Sequence, residues 1–301
     1  MNILKHKIKN LINRHYTLSK HWQYRKYLRT KITGQTPLIL FQMGKVGSTS
    51  MMKSLQTYSL PYDLFQVHVL TRDWINKVHM QYRRASRVHG RAIVDEHMMA
   101  SMYLRDLLDR DFDRKEWKVI SFVRDPIARN VSAFFQAFSI YFPDLAKSHQ
   151  ETSPALEQRV PELIKTFLEQ FEEHDTPLHW FETHMQPTFG IDVYQTPFPK
   201  KQAYQIIQHD NISLLILRLE DLDNTAAPAL SQFIGLDNFT LKHSNVALNK
   251  DYADDYRLFQ HQLYLPETFI DHMYNSRYMR NFYTNEEIAS FRKKWLKAAA
   301  T

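Results

Sequence analysis

The sequence predicts an α/β fold built on a central parallel sheet, and three observations carry that prediction. Short apolar runs rich in branched residues recur along the chain, the composition expected of strands. Segments with helical spacing of apolar residues alternate with them, the pattern of β–α–β crossovers. With 301 residues, 44% hydrophobic and 24% charged, the chain is long enough to bury one substantial core.

The first 36 residues are a basic leader. Lys5, Lys7, Lys9, Arg14, Lys20, Arg25, Lys26, Arg29 and Lys31 all precede the first acidic residue, Asp63. Ile3, Leu4, Ile8, Leu11 and Ile12 recur at roughly helical spacing, which suits an amphipathic helix resting on an anionic membrane. The preferred reading of the two is a solvated basic helix packed on its own domain. No zinc pattern, helix-turn-helix or base-stacking module accompanies the charge, so no nucleic-acid partner is expected. No run approaches the ~18 apolar residues of a spanning helix, and no signal peptide is legible. With zero cysteines, disulfides, cysteine-bound zinc and thiol nucleophiles are excluded, which fits a reducing interior. The expected setting is cytoplasmic, with peripheral contact at the inner face of the membrane as the option that an amphipathic leader would bring.

From residue 37 onward one domain is expected. Strands are predicted at 37–42 (PLILFQ), 63–69 (DLFQVHV), 91–95 (RAIVD), 117–123 (WKVISFV) and 213–219 (SLLILRL), with helices near 48–58, 97–109 and 126–140. Seven prolines between 143 and 200 break the rhythm around the helical stretch ALEQRVPELIKTFLEQFEEH, which reads as an insertion beside the site. The tail from about 250 is helical and rich in aromatic residues.

Two stretches carry chemistry. In FQMGKVGSTSM (41–51) a strand ends in a glycine-containing turn that feeds a helix, which points N–H groups and a positive helix end at one place. Lys45 adds a charge, and Ser48, Thr49 and Ser50 add donors. The nucleotide loop pattern G-x-x-x-x-G-K-[ST] fails, because Lys45 precedes Gly47. In WKVISFVRDPIARNVSAFFQAF (117–138) the same strand-turn-helix order recurs. Asp125 is placed to cap the helix and Pro126 to start it. Arg124 then stands at the carboxyl end of a strand, where open α/β sheets bind ligands. Ile127, Val131, Phe134, Phe135 and Phe138 form the apolar stripe, leaving Arg129, Ser132 and Gln136 on another face.

Taken together, K-x-G-[ST]-T and an arginine followed eight residues later by a serine resemble the sulfotransferase family. GKVGSTS, VRDPIARNVSAFF, NKDYADDYRLFQ and YNSRYMRNFYTNEEIASF resemble, more narrowly, bacterial capsular polysaccharide synthesis proteins, a sulfotransferase-like group. The resemblance implies a P-loop-like sulfotransferase fold with a helical C-terminal region. It also implies use of 3′-phosphoadenosine 5′-phosphosulfate (PAPS) as co-substrate without a metal, and a carbohydrate hydroxyl as acceptor. On that reading Lys45, Gly47, Ser48, Thr49 and Ser50 hold the 5′-phosphosulfate, and Arg124 and Ser132 hold the 3′-phosphate.

A hydroxyl acceptor needs a general base, for which histidine has a suitable pKa. His97, in GRAIVDEHM, is expected at a strand end where sulfotransferases carry their histidine, and His68, in FQVHVL, is the alternate. Many relatives have lysine two residues before that histidine; here Asp95 stands there, and Glu96 offers a carboxylate instead. His174, His179 and His184 lie five apart, the wrong spacing for a shared metal on one helical face. Tyr252, Tyr256, Tyr274, Tyr278 and Tyr283 suit packing, with Lys250, Arg277 or Arg280 placed to reach a phosphate or polyanionic acceptor. Two competing readings remain: a nucleotide-dependent kinase and a non-catalytic polyanion-binding protein of the same fold.

Overall fold

The computed structural model describes residues 15–152, 156–243 and 253–296. The leader's apolar residues up to Ile12, Lys250 and Tyr252 lie outside them. Five strands, β1 (Thr36–Phe41), β2 (Tyr62–Val67), β3 (Trp117–Val123), β4 (Tyr204–His209) and β5 (Ile212–Arg218), form one sheet in the order β2-β1-β3-β5-β4. The pairs β1–β2, β1–β3 and β3–β5 are parallel, whereas β4 runs antiparallel to β5 at the edge.

The runs TPLILF, WKVISFV and ISLLILR are almost continuously apolar because both faces of these strands are buried. From β1 the chain moves outward to β2, then returns to place β3 on the other side of β1. The crevice at the carboxyl ends of β1 and β3 is therefore the switch point where such sheets bind ligands.

Helices α1 (Tyr16–Lys31), α2 (Ser48–Leu55), α3 (Arg72–Val88), α4 (Glu96–Asp111) and α5 (Pro126–Tyr141) connect and flank these strands. Helix α5 starts as its sequence predicts: Asp125 Oδ1 accepts from Ile127 N at 3.0 Å, and Pro126 opens the first turn. Its apolar stripe packs on α7 (Leu156–Gln170) and on the helix Ala253–Gln262 through an aromatic cluster in which Phe134 meets Phe167, Phe171 and Phe259 at ring centroid distances of 5.4–5.8 Å. The proline-rich stretch forms α6 (Pro143–Thr152), α7, α8 (Thr176–Trp180), a π turn over Phe181–Met185 and α9 (Gln186–Phe189). After β5 come α10 (Leu222–Ile234), α11 (Ala253–Gln262), α12 (Glu267–Tyr274), α13 (Arg277–Phe282) and α14 (Asn285–Trp295).

The sequence prediction fails at three places. Residues 91–95 pair with no strand: Ile93 N–H is satisfied by Ser86 Oγ at 2.9 Å, and Asp95 caps α4. Strand β4 was not foreseen; it pairs with β5 across a tight turn in which Asp210 takes φ 49°, a left-handed conformation aspartate tolerates. Helix α3 was not foreseen either, because basic residues crowd its exposed side.

The C-terminal helices close over the turn after β3. Tyr274 Oη donates to Asp125 Oδ1 at 2.9 Å and Trp295 Nε1 to Asp125 Oδ2 at 3.2 Å. Asp125 is buried, so its cap and these two bonds stand or fall together. Asp125→Ala should lower unfolding free energy by about 2–4 kcal/mol in urea denaturation, the sum of a lost cap and two orphaned buried donors. A loss below about 0.5 kcal/mol would show that the C-terminal helices do not depend on this carboxylate.

Candidate active site

Chain geometry after β1 makes the first half of the site. Lys45 and Gly47 adopt φ 72° and 84°, two left-handed residues that swing the chain from the strand end into α2. The left-handed backbone at Gly47 favours glycine, and a Cβ there would stand 2.4 Å from Leu219 Cδ1, a side-chain tip that would have to move aside. Helix α2 then begins with no acidic residue in its first turn and no side-chain cap. Its first N–H groups and positive end suit an anion in place of that cap. Ser48 Oγ accepts from Gln66 Nε2 at 2.8 Å, fixing the helix start to the end of β2.

The second half comes from β3 and α5, and it grips the first directly. Arg124 Nη1 donates to the Lys45 carbonyl at 2.7 Å. Lys45 Nζ in turn donates to Gln136 Oε1, two turns along α5 from Arg129. Arg129 is buried, donates through Nε to the Gly44 carbonyl at 3.2 Å and faces Glu173 at 3.5 Å. Three residues around α5 thus hold the loop's carbonyls and its lysine. Arg124 is itself fixed, since Tyr278 Oη accepts from its N–H and donates to its C=O, each at 2.9 Å. Beside it, Glu220 accepts from Asp125 N at 2.8 Å and from Tyr283 Oη at 2.9 Å.

Two histidines face this assembly from the β2 side. His68 Nδ1 lies 2.9 Å from the Gln42 carbonyl, and His97 Nδ1 lies 2.8 Å from the Gln66 carbonyl. A carbonyl only accepts, so each neutral ring carries its proton on Nδ1 and a lone pair on Nε2. The two rings sit 4.9 Å apart. His68 Nε2 lies 4.0 Å from the point where a Cβ on Gly44 would stand, beside the loop. Burial, reinforced by the neighbouring His97, pushes His68 down to about 4, so its ring is neutral at pH 7.

His97 stands at the start of α4 rather than at the strand end expected from the sequence. Asp95 Oδ1 accepts from His97 N at 2.6 Å, and Tyr82 Oη donates to the same carboxylate at 3.2 Å. The aspartate that stands two residues before the histidine is therefore a helix cap. Glu96 is exposed and ion-paired to Lys31 at 3.3 Å, outside the cleft lining.

Lys45, Gly47, Ser48, Thr49, Ser50, His68, His97, Arg124 and Ser132 all line one cleft of about 1460 Å³. The stretch expected as an insertion builds its far wall: Glu173, His179 and His184 line it, and Asn130 Nδ2 secures that wall by donating to the His174 carbonyl at 2.8 Å. His184 is buried against Trp74, ring centroids 4.9 Å apart, and burial lowers it to about 4. His174 Nε2 is 2.8 Å from the Phe167 carbonyl. Among the described residues no group of three or more histidine, aspartate and glutamate side chains converges as a metal site would require. Tyr256 reaches the cleft wall, but Arg277 lies over Tyr194 at 4.1 Å and Arg280 binds the Asn275 carbonyl, both outside the lining. Gln66, Gln136, Glu220 and Tyr278 were not anticipated as site residues; Gln136 alone had a signal, its place on the polar face of α5.

Two family models match the chain. Residues 7–192 match the family model described as Sulfotransferase domain, a span that takes in the loop, both histidines, Arg124 and Ser132. Residues 160–284 match the family described as Putative capsular polysaccharide synthesis protein, a span that takes in β4, β5 and the tyrosines that fix Arg124 and Asp125. Neither the curated proteins nor the solved structures gave a match. Since the first of these models covers well over half of the chain, including the loop after β1 and the start of α5, the chain belongs to the sulfotransferase domain family.

Proposed function

We propose that this protein transfers a sulfuryl group from PAPS to a hydroxyl of a carbohydrate, in the synthesis of a capsular or extracellular polysaccharide. The observation that carries the reading is the convergence, in one cleft, of two segments rich in basic and hydroxyl side chains and two histidines tied through Nδ1. The residues fit the donor's charges: Lys45, the uncapped start of α2 and three hydroxyl side chains for one phosphate group, Arg124 and Ser132 for a second.

When bound, PAPS supplies a sulfuryl group on a phosphosulfate anhydride. Lys45 and the first N–H groups of α2 counter the charge that builds on the leaving phosphate oxygen as the sulfur–oxygen bond breaks. Arg124 and Ser132 fix the 3′-phosphate and so the direction of the chain of bonds leading to the loop. On the opposite side, His97 Nε2 takes the proton of the acceptor hydroxyl as its oxygen bonds to sulfur. Burial and the neighbouring His97 lower His68, which makes it the weaker candidate for this step. Its Nε2 lone pair faces the same space and lines the acceptor side of the cleft.

The kinase reading meets a specific obstacle. The acid at the end of β3, Asp125, would be the natural holder of magnesium beside a phosphate loop, yet both its oxygens are engaged by Ile127 N, Tyr274 and Trp295. A purely polyanion-binding role leaves unexplained why two imidazoles are tied through Nδ1 beside the loop.

With labelled PAPS and a panel of glycans, His97→Ala should cut kcat on the order of 100-fold to 10,000-fold while the Kd for adenosine 3′,5′-bisphosphate (PAP) stays near that of the parent. His68→Ala should be milder. Loss of turnover in His68→Ala with His97→Ala still active would move the base to His68, and transfer to no glycan would overturn the acceptor class.

A further inference from the structure

Helix α1 presents two different faces. Tyr16, Ser19 and Tyr27 are buried against the domain, with Tyr16 Oη 3.0 Å from His79 Nδ1 on α3. One turn round, Leu18, Trp22 and Lys26 follow at four-residue spacing, and Leu18 and Trp22 are 49% and 51% exposed. Lys26 Nζ lies 5.9 Å over the Trp22 ring. The helix carries Lys20, Arg25, Lys26, Arg29 and Lys31 and no acidic residue. Leu18 shares a groove with Arg83 and Arg87 of α3, and on the same helix Met80 is 57% exposed.

Half-exposed indole and aliphatic side chains on a helix with five basic residues and no acidic one are poor surface for a protein facing water alone, and among the described residues only Lys31 of the five pairs with a carboxylate, Glu96. They suit the boundary of an anionic bilayer, where the apolar groups enter the headgroup region and the arginines meet lipid phosphates and carboxylates. We propose that α1 and the Met80–Arg87 side of α3 dock on an anionic membrane, with Leu18 and Trp22 inserted and Arg83 and Arg87 bound to lipid headgroups. The charge supports a lipid surface, and the sequence just ahead of α1 continues the same composition, with Lys5, Lys7, Lys9 and Arg14 among Ile3, Leu4, Ile8, Leu11 and Ile12. The surface differs from a leader anchor alone, because half of it belongs to α3. Another side of that helix lines the cleft with Trp74, Lys77, Gln81 and Arg84. Docking therefore holds the cleft within about one helix diameter, roughly 10 Å, of the lipid.

The test is co-sedimentation of the full chain with vesicles of pure phosphatidylcholine and of phosphatidylcholine with roughly 30% phosphatidylserine, at about 0.1 M salt. The chain should bind the anionic vesicles and leave the neutral ones. The double variant Leu18→Ala, Trp22→Ala should weaken binding about tenfold or more, and Arg83→Gln with Arg87→Gln should do likewise with a shallower salt dependence. All four side chains are solvent-facing, and urea unfolding midpoints matching the parent's separate lost docking from lost folding. Equal binding to neutral vesicles, unchanged binding by both double variants, or tighter binding to duplex DNA that ignores Leu18 and Trp22 would overturn the proposal. None of these outcomes depends on the sulfotransferase reading.

Discussion

The bond from Arg124 to the carbonyl of Lys45, 2.7 Å long, joins the two segments that make the site. Lys45 is held with φ 72°, a conformation that costs a residue with a side chain on the order of 1 kcal/mol and persists only where neighbours determine it. Those neighbours are all from one helix and its turn: Arg124 on the Lys45 carbonyl, Arg129 on the Gly44 carbonyl and Gln136 on the lysine's ammonium. The strained loop and its basic partners form a unit whose charge is positive and whose donors converge. Arg129 is balanced by Glu173, and Lys45 and Arg124 line the cleft with them.

That unit rests in turn on the C-terminal helices. Tyr278, Tyr283 and Tyr274 are buried, and desolvation drives each phenol far above its ordinary range, so all three remain hydrogen-bond donors at any physiological pH. Burial also raises Glu220. Tyr278 fixes the backbone of Arg124 on both sides, and Glu220 and Asp125 are satisfied by the other tyrosines and Trp295. A region far along the chain is thus the support for residues at 124 and 125. Near it, Arg218 is buried between Asp221 at 2.6 Å and Glu287 at 2.9 Å, tying β5 to the capping box that starts α14. The match of residues 160–284 to a second family model covers much of this support.

Much of this was legible in the sequence. Strands β1, β3 and β5 announced themselves as continuous apolar runs, and Asp125-Pro126 marked the start of α5. The two anion motifs needed only local order, strand then turn then helix, to be recognised. What could not be read was pairing at a distance. RAIVD has a strand's composition, but Ser86 and Asp95 give its backbone local partners and no ladder forms there. YQIIQH pairs at an edge where one side stays wet, so its apolar signal is diluted. Glu220 and Tyr278 enter the site only because tertiary structure brings them there, and Gln136, on the polar face of α5, meets Lys45 for the same reason. The histidines illustrate the division: their candidacy was visible, whereas the carbonyls of Gln42 and Gln66 that set their tautomers were not.

If both segments bind one ligand, each phosphate should add its own free energy. Isothermal titration of the parent chain with PAP, 5′-AMP, 3′-AMP and magnesium ATP measures this directly. PAP should bind at least about tenfold more tightly than either monophosphate, the increment expected of one further charged hydrogen-bonded group, and more tightly than magnesium ATP. Binding of PAP no tighter than 5′-AMP, or weaker than magnesium ATP, would contradict a cleft built for two separated phosphates.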